Sequence, residues 1–198
     1  SLHGQLDPLP MAEPCVLACV GRLEPLAKGQ DLLLQVLATS PWRDRPIRVD
    51  FYGRGPMQQS LQRTAAMLGV TERVRFAGHV SDVESIWRRS HALVLPSRYE
   101  GLPLAVVEAM ACGRVSIATD VAGNLEVIED NVTGFAAAAP TVGHLSEAME
   151  RAWQRRFQWV EMGRAASLVI RMKITESPEA EFAKTLTQFA SCQQNLAS

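Results

Sequence analysis

The chain lacks the features that mark several classes of protein. No apolar run approaches the roughly 18 residues that a transmembrane helix needs, and no signal peptide opens the sequence. Lys and Arg form no block, and the net charge is −1, which argues against a nucleic-acid surface. The composition, 47% hydrophobic and 21% charged over 198 residues, is that of an ordinary globular chain with one sizeable core.

The sequence also lacks the usual motifs that bind a phosphate through a metal ion or through a glycine-rich loop. No Asp-x-Asp occurs, which removes the common carboxylate pair for a divalent ion on a diphosphate. The Walker spacing is absent, and the glycine pair Gly53-x-Gly55 lacks the third glycine of a dinucleotide fingerprint, because Gln58 stands there. We therefore expect no metal and no resident cofactor, and any phosphate must be met by Arg, Lys and backbone amides.

The four cysteines form no evident site. Cys15 and Cys19 share one face of a predicted strand but lie about 13 Å apart, too far for a disulfide. Cys112 and Cys192 have no companion at metal-ligand spacing. We interpret all four as free thiols, which predicts a reducing cytoplasm as the compartment. The full-length protein could in addition associate peripherally with a membrane, and that alternative stays open. Among the histidines, His91 stands at the start of a predicted strand, and we expect it to be a core residue.

The sequence begins Ser1-Leu2 without an initiator Met, so we interpret it as a piece of a longer protein. We predict a linker over residues 1–12, one domain over 13–175, and a C-terminal helix and tail over 176–198.

Short, continuously apolar runs alternate with helical patterns, which indicates strands buried on both faces of a parallel sheet. This order predicts an α/β fold, a Rossmann-like parallel sheet of about six strands with helices on both faces. The predicted strands are 16–20, 48–52, 74–76, 92–95, 115–118 and 134–137. The predicted helices are 29–38, 57–68, 83–90, 104–111, 142–153, 159–172 and 178–193.

Residues without an evident packing role follow the predicted strands. They include Gly21-Arg22, Gly53-Arg54-Gly55, Gly78-His79, the turn 97–101 and the loop 119–126. In open α/β sheets ligands bind beyond the carboxyl ends of the strands, so these five loops predict one shared binding crevice. Arg22 and Lys28 bracket the first loop, and Lys28 at a helix start would be favoured by a bound anion.

The segment from Pro96 to Met110 carries the most information. Pro103 suits only the first turn of a helix, so Glu100 must lie in a turn and Glu108 one to two turns inside the following helix. The free amides of Gly101, Leu102 and Leu104 would surround the helix N-terminus, which favours anionic or oxygen-rich ligands. We expect a negatively charged, polyhydroxylated small molecule.

An ordered set of motifs resembles the donor-binding half of a retaining GT-B glycosyltransferase of the Glu-x7-Glu group, glycosyltransferase family 4, similar to glycogen synthase. The set runs from about residue 16 to 134 and consists of Gly21-Arg22-x5-Lys28-Gly29, Gly53-x-Gly55-Pro56, Phe76-x-Gly78, Pro96-Ser97-x2-Glu100-Gly101-x-Pro103-Leu104-x3-Glu108-Ala109 and Gly123-Asn124-x-Glu126.

The resemblance implies roles for these positions. Arg22 and Lys28 would hold the donor diphosphate, and Glu108 would accept hydrogen bonds from the ribose hydroxyls. Glu100, with the amides from Gly101 through Leu102 and Pro103 to Leu104, would hold the transferred sugar. The remaining donor contacts would come from Gly21, Gly53, Gly55, His79, Val80, Gly123 and Asn124, with His79 and Val80 at the base.

The chemistry agrees with these roles. Cleavage of a sugar–phosphate bond builds oxocarbenium charge on the sugar and negative charge on the departing diphosphate. Two fixed cations would stabilise the negative charge on the departing diphosphate without a metal ion. We interpret Glu100 as a hydroxyl acceptor or charge stabiliser rather than as a nucleophile. The expected partners are a nucleotide-sugar donor, the missing N-terminal half of the GT-B fold, and a glycan or lipid-linked acceptor.

The chain departs from the pattern in two places. Arg114 stands where Pro is usual, and Ala122 stands where a first Gly is common, which narrows the backbone choices there. The chain also supplies only one of two Rossmann-like domains, so we expect this fragment to be inactive alone. Two alternatives stay open, a GT-B nucleotide-sugar epimerase and a non-catalytic nucleotide- or glycan-binding module.

Overall fold

The computed structural model of the chain describes residues 6–101 and 104–176. Six strands form one sheet: β1 Cys15–Val20, β2 Ile47–Tyr52, β3 Val74–Gly78, β4 Ala92–Leu95, β5 Val115–Thr119 and β6 Gly134–Ala137. All neighbours pair in parallel, in the order β3-β2-β1-β4-β5-β6. The predicted Rossmann-like parallel sheet is confirmed.

In the described part of the chain, eight helices lie between and after the strands. They are α1 Pro25–Lys28, α2 Gln30–Ala38, α3 Gln58–Met67, α4 Val83–Trp87, α5 Leu104–Ala111, α6 Asn124–Val127, α7 Val142–Gln154 and α8 Trp159–Glu176. Short 3-10 turns precede β2, β3 and α8. The short helices α1 and α6 were not predicted. The predicted helix 178–193 lies outside the described residues.

Two apolar cores lie on opposite faces of the sheet. On one face α2, α3 and α7 cover a core that includes Leu33, Trp42 and Phe51. On the other face α4, α5 and α8 cover a core that includes Trp87 and Met110. Burial on both faces explains why the strands are apolar without alternation.

Two polar predictions concern this core. His91 is buried as expected, directly before β4. Cys15, Cys19 and Cys112 are free and buried, so the expectation of unpaired thiols is confirmed for these three. Cys192 lies outside the described residues.

Helix α4 ends three residues earlier than predicted. The amides of Arg88 and Arg89 bond back to Glu84 and Ile86, and the chain then turns so that Ser90 is buried before β4. Within the described residues, no helix is both long and apolar enough to cross a bilayer.

Candidate functional site

The strand order changes direction between β1 and β4, because β2 and β3 lie on one side of β1, and β5 and β6 lie beyond β4. At such a point neighbouring loops diverge and leave a crevice at the carboxyl ends of the strands. The loop after β1 and the turn after β4 flank this point, and they carry Arg22, Lys28 and Glu100. The topology therefore places the predicted residues at the part of the sheet edge where ligands bind in this architecture.

An open cleft of about 580 Å³ lies on the β2–β3 side of this point. Six of the predicted residues line it: Gly21, Arg22, Gly53, His79, Val80 and Glu108. The other lining residues are Val20, Tyr52, Arg54, Val83 and Ile86. Loops from three strands and a carboxylate from α5 thus share one cavity of the size typical of small-molecule sites.

Two glycines allow the loops to approach one another. A Cβ on Gly53, whose φ is +135°, would lie 2.0 Å from the carbonyl oxygen of Gly21. A Cβ on Gly29, with a φ of +65°, would lie 1.9 Å from the carbonyl oxygen of Pro96. Both distances are impossible for a side chain, so glycine is what lets the loop after β1 touch the loops after β2 and β4.

Gly29 also separates α1 from α2, so Lys28 ends a short helix instead of starting a long one. Its Nζ donates to Glu100 Oε2 at 2.8 Å, and its side chain is 26% exposed. Lys28 is therefore neither a solvated surface charge nor an unpaired cation, because the partner of its charge is the carboxylate of the predicted sugar site.

The Glu100 carboxylate is fixed from a second direction. Its side chain is 6% exposed, and Ser97 Oγ donates to Oε1 at 2.5 Å. The Thr119 hydroxyl donates to the Ser97 carbonyl at 2.6 Å, and Asn124 Nδ2 donates to the Thr119 carbonyl at 2.9 Å. Ser97, Thr119 and Asn124 are fully buried. A buried chain of hydrogen bonds thus supports the turn that carries Glu100.

Glu108 lies in a different environment. It is on α5, half-buried, and its carboxylate makes no hydrogen bond or ion pair with any residue in the described part of the chain. Burial raises the pKa of Glu108 above its ordinary value. A carboxylate that is desolvated yet unpaired at a cleft wall is an available acceptor for ligand hydroxyls.

The cations of the cleft are more exposed than Lys28. The Arg22 side chain is 65% exposed and contacts Glu24 at 3.4 Å, a surface pair that constrains it little. Arg54 was not assigned a role from sequence, although it stands between the two predicted glycines, and it is exposed at the cleft. Both arginines can turn toward an anion in the cleft.

Arg98 ties the turn after β4 to the helices after β1. Its guanidinium forms two hydrogen bonds to the Asp31 carboxylate, at 2.7 and 2.9 Å, and one to the Pro25 carbonyl. The amides of Arg98 and Tyr99 both bond to the Ala27 carbonyl. We call this set of contacts the Arg98 clamp.

The other residues predicted to contact the donor differ in their exposure and packing. Gly101 and Leu104 are exposed beside the Glu100 turn, and Leu102 and Pro103 lie outside the described residues. Gly55 packs against the backbone of Leu23, and a Cβ there would lie 2.3 Å from its carbonyl oxygen.

On the β5 side, Gly123 is the residue before α6, and the Asn124 side chain points into the protein, where Thr119 binds it. Ala122 adopts a φ of +47°, the left-handed conformation that glycine would favour at this place.

Several wall residues were missed from sequence. Tyr52 ends β2, and Val83 and Ile86 lie on α4, and all three contribute apolar surface to the cleft. Their apolar character is indistinguishable from that of core residues in the sequence. Within residues 6–101 and 104–176, no group of three or more His, Cys, Asp or Glu side chains could hold a metal ion.

Similarity to known proteins shows the family of the chain. Residues 9–167 match the family model "Glycosyl transferases group 1". A D-inositol 3-phosphate glycosyltransferase of Gordonia bronchialis is 32% identical over 163 residues, which are 76% of this chain and 35% of that protein. The alpha-D-kanosaminyltransferase of Streptomyces kanamyceticus is 30% identical over 138 residues, 69% of this chain and 36% of that protein. The chain spans about a third of the length of these curated relatives.

Solved structures show the same fold. TarM of S. aureus, in a structure containing UDP, superposes with a TM-score of 0.81 at 22% identity, over 96% of this chain and 38% of that one. Anabaena HepE in complex with UDP gives a TM-score of 0.74 at 23% identity, over 88% of this chain and 49% of that one. These neighbours are GT-B glycosyltransferases, and their superposition on most of this chain confirms the expected Rossmann-like fold. The family match covers most of the chain, and the chain therefore belongs to the group 1 glycosyl transferases.

Proposed function

We propose that this chain is the donor-binding half of a retaining glycosyltransferase that takes a sugar from a nucleoside diphosphate. The observation that carries the proposal is the convergence at one sheet edge of an open cleft with two exposed arginines, a carboxylate without a partner among the described residues, and the Lys28–Glu100 pair. Such a site combines cations for a diphosphate with acceptors for sugar hydroxyls.

The nucleotide would occupy the open cleft. Tyr52, Val83 and Ile86 offer an apolar wall beside His79 and Val80, which suits the flat face of a base. Glu108 would accept the ribose hydroxyls, because its carboxylate lacks another partner in the described residues. Several structural neighbours were solved with UDP, which makes uridine the first base to test.

The diphosphate would lie between Arg22 and Lys28. Lys28 is already held at the end of α1 by Glu100, so it needs no rearrangement to meet the phosphate nearest the sugar. As the sugar–phosphate bond breaks, this cation and Arg22 stabilise the negative charge on the leaving diphosphate, and no metal is required. Glu100, on the other side of the pair, would accept a sugar hydroxyl and stabilise positive charge on the ring.

The missing half would face the exposed apolar side chains at this edge. Leu26, Tyr99 and Leu104 are largely exposed beside the Lys28–Glu100 pair. Contact with a second domain would bury them and would close the site over the sugar. We further propose that the acceptor, a glycan or a lipid-linked sugar, binds on that missing half. The cytoplasm remains the proposed compartment, consistent with the free thiols at Cys15, Cys19 and Cys112.

A thermal-shift panel of UDP, GDP, ADP and their sugars tests the proposal on this chain. At 100 times Kd a ligand stabilises the folded state by about 2.7 kcal/mol, so one base should raise the melting temperature clearly, with or without EDTA. The chain alone should transfer no sugar. Absence of any shift would reject the donor site, and robust transfer by the chain alone would reject the half-enzyme interpretation.

Joining the chain to its N-terminal half separates the remaining alternatives. A transferase should then form a glycoside with the anomeric configuration of the donor. Epimerised nucleotide sugar would indicate the epimerase, and binding without turnover of any acceptor would indicate a non-catalytic module.

A further inference from the structure

A second cavity lies at the opposite edge of the sheet. It has a volume of about 170 Å³, and its lining includes His91 and Arg114, which directly precede β4 and β5. These are the amino ends of the strands, so about 16 Å of strand separates this cavity from the carboxyl ends. We call the carboxyl ends, where the proposed donor site lies, the donor edge. None of its lining residues carries a negative charge.

Arg114 is the residue that replaces the usual Pro of the family pattern. It is 5% exposed, its Nε donates to the Trp87 carbonyl at 2.8 Å, and its Nη2 donates to the Asp7 carbonyl at 3.1 Å. Among the described residues no carboxylate pairs with it, and Nη1 has no hydrogen-bond partner. Burial lowers the pKa of this guanidinium, as expected for a desolvated cation without a counter-charge. A buried cation of this kind is stabilised by an anion that enters from the cavity.

Arg156 lines the same cavity and is held by aromatic faces. Its guanidinium carbon lies 4.4 Å from the centroid of Trp153 and 4.3 Å from that of Phe157, and Nη1 donates to the Trp153 carbonyl. In the described part of the chain it forms no ion pair. The stacking fixes the plane of the guanidinium and leaves donors for a further acceptor.

The remaining polar group of the cavity is neutral. His91 Nδ1 accepts the Val16 amide at 3.0 Å, so its Nε2 carries the proton and donates to the Pro10 carbonyl at 3.1 Å. Burial lowers the pKa of His91, which keeps the ring uncharged. Trp159 begins α8 and also lines the cavity, and the amino end of a helix adds partial positive charge.

We propose that this cavity binds a small phosphate-type anion, inorganic phosphate or a phosphate monoester, between Arg114 and Arg156. A planar guanidinium suits two oxygens of such a group, and two of them can hold it from different sides. The volume fits a single phosphate with a small substituent and excludes a nucleoside diphosphate, so the ligand differs from the proposed donor. The site does not rest on the proposed function of the other edge.

Titration calorimetry on the 198-residue chain tests the site, with inorganic phosphate and methyl phosphate as probes. Potassium chloride at equal ionic strength is the control for general screening. UDP is present in both cell and syringe, so that it occupies the proposed donor cleft and the measured heat does not come from phosphate binding there. We expect saturable binding of at least one probe, and stronger binding of methyl phosphate would identify the monoester as the preferred form.

The variants assign the binding to the two arginines. Arg156→Gln and Arg114→Lys should each weaken it by about tenfold or more, because a bidentate contact is lost. Arg155→Gln, at the adjacent position but outside the cavity lining, and Arg54→Gln at the donor edge should change it less than about twofold. Arg156 is half-buried, so its variant should fold even if the Arg114 variant does not.

Three results would overturn the proposal. The first is no saturable phosphate binding beyond the chloride control, which leaves water alone in the cavity. The others are phosphate affinity in Arg156→Gln equal to that of the wild type, and loss of phosphate binding in Arg54→Gln. If UDP itself does not bind, the Arg54→Gln and Arg22→Gln variants still distinguish the two edges.

Discussion

The two sides of the proposed donor edge are built in opposite ways. On the β4–β5 side, Glu100 is held by Lys28 and Ser97, and the buried Thr119 and Asn124 support the turn. On the β2–β3 side, the open cleft is lined by exposed arginines. The first side has its hydrogen bonds in place before a ligand arrives, whereas the arginines of the second side are exposed to solvent and held weakly, Arg22 only by a surface contact with Glu24.

The contrast is sharpest between the two carboxylates. Glu100 is buried and engaged twice, but Glu108 is half-buried, has no partner among the described residues and has a raised pKa. A group fixed in advance suits charge stabilisation during reaction, where reorganisation is costly. A group without a partner suits binding, because a ligand hydroxyl satisfies it. The following changes test whether this division holds.

Gly29→Ala should have the largest effect, because it breaks the junction between the two sides. Its Cβ would collide with the Pro96 carbonyl at 1.9 Å and would also sit at a φ of +65°. We expect the free energy of unfolding to fall by about 2–5 kcal/mol, with loss of nucleotide binding.

Gly69→Ala is the matched control for that change, measured by the same chemical denaturation. Gly69 has a φ of +69° but nothing within 4 Å of its added Cβ, so it reports the backbone strain alone, about 1–2 kcal/mol. Equal losses in the two variants would show that the contact between the loops contributes nothing.

Glu108→Gln should weaken nucleotide binding without weakening the fold. Loss of a charged acceptor reduces UDP affinity by about 10- to 150-fold in calorimetry. The folded-state pKa of Glu108 is raised by burial, so its favourable contribution to stability exists at low pH and is lost as pH rises through that value. At neutral pH the ionised form is destabilising, and the melting temperature of Glu108→Gln should be unchanged or higher.

The pH dependence gives a second readout of the same prediction. Wild-type affinity for UDP should fall as pH drops through the raised pKa of Glu108, whereas the Gln variant should lack this step. Glu100→Gln is the comparison variant. It should change UDP affinity by less than about threefold and instead lower kcat in the two-domain enzyme. Equal losses of UDP affinity in the two variants would make the assignment of ribose and sugar wrong.

Ser97→Ala should have an intermediate effect confined to the fixed side. It removes the hydrogen bond to Glu100 Oε1 and should cost about 1.5 kcal/mol of stability, with lower kcat and unchanged UDP affinity. Ser90→Ala is the control, because the Ser90 hydroxyl is equally buried but has no hydrogen-bond partner among the described residues, so its loss should cost nothing. Ser97→Thr keeps a hydroxyl and should retain kcat; if Ser97→Ala retains it as well, the hydroxyl does not position Glu100.

Ala122→Gly should have the smallest effect, and a favourable one. Ala122 has a φ of +47°, and glycine removes most of that strain while adding freedom to the unfolded chain, for a net gain of about 0.5 kcal/mol. Asn131→Gly is the control, since Asn tolerates its φ of +63° and should gain less. A lower melting temperature for Ala122→Gly would show that the loop depends on a stiff backbone.

The sequence predicted all six strands because continuous apolar runs flanked by glycine have few alternatives in an α/β chain. It also predicted which loops share an edge, since parallel strands place their carboxyl ends together. The pairing of Lys28 with Glu100 was not predictable, because the two residues are 72 positions apart and each has a plausible external partner. The inward orientation of the Asn124 side chain was not predictable either. A polar residue beside a glycine in a loop suggests a ligand contact, and only the structure shows that Asn124 donates to the Thr119 carbonyl instead.

The Arg98 clamp has a consequence for the route of the ligand. It joins the turn after β4 to α1 and α2 through two hydrogen bonds to Asp31, one to the Pro25 carbonyl and two amides on the Ala27 carbonyl. These five bonds tie the turn to Pro25, Ala27 and Asp31, so this wall of the crevice is cross-linked at three points. The open cleft is lined on its other side by Gly53 and His79, so we expect a ligand to enter and leave there and not across the clamp.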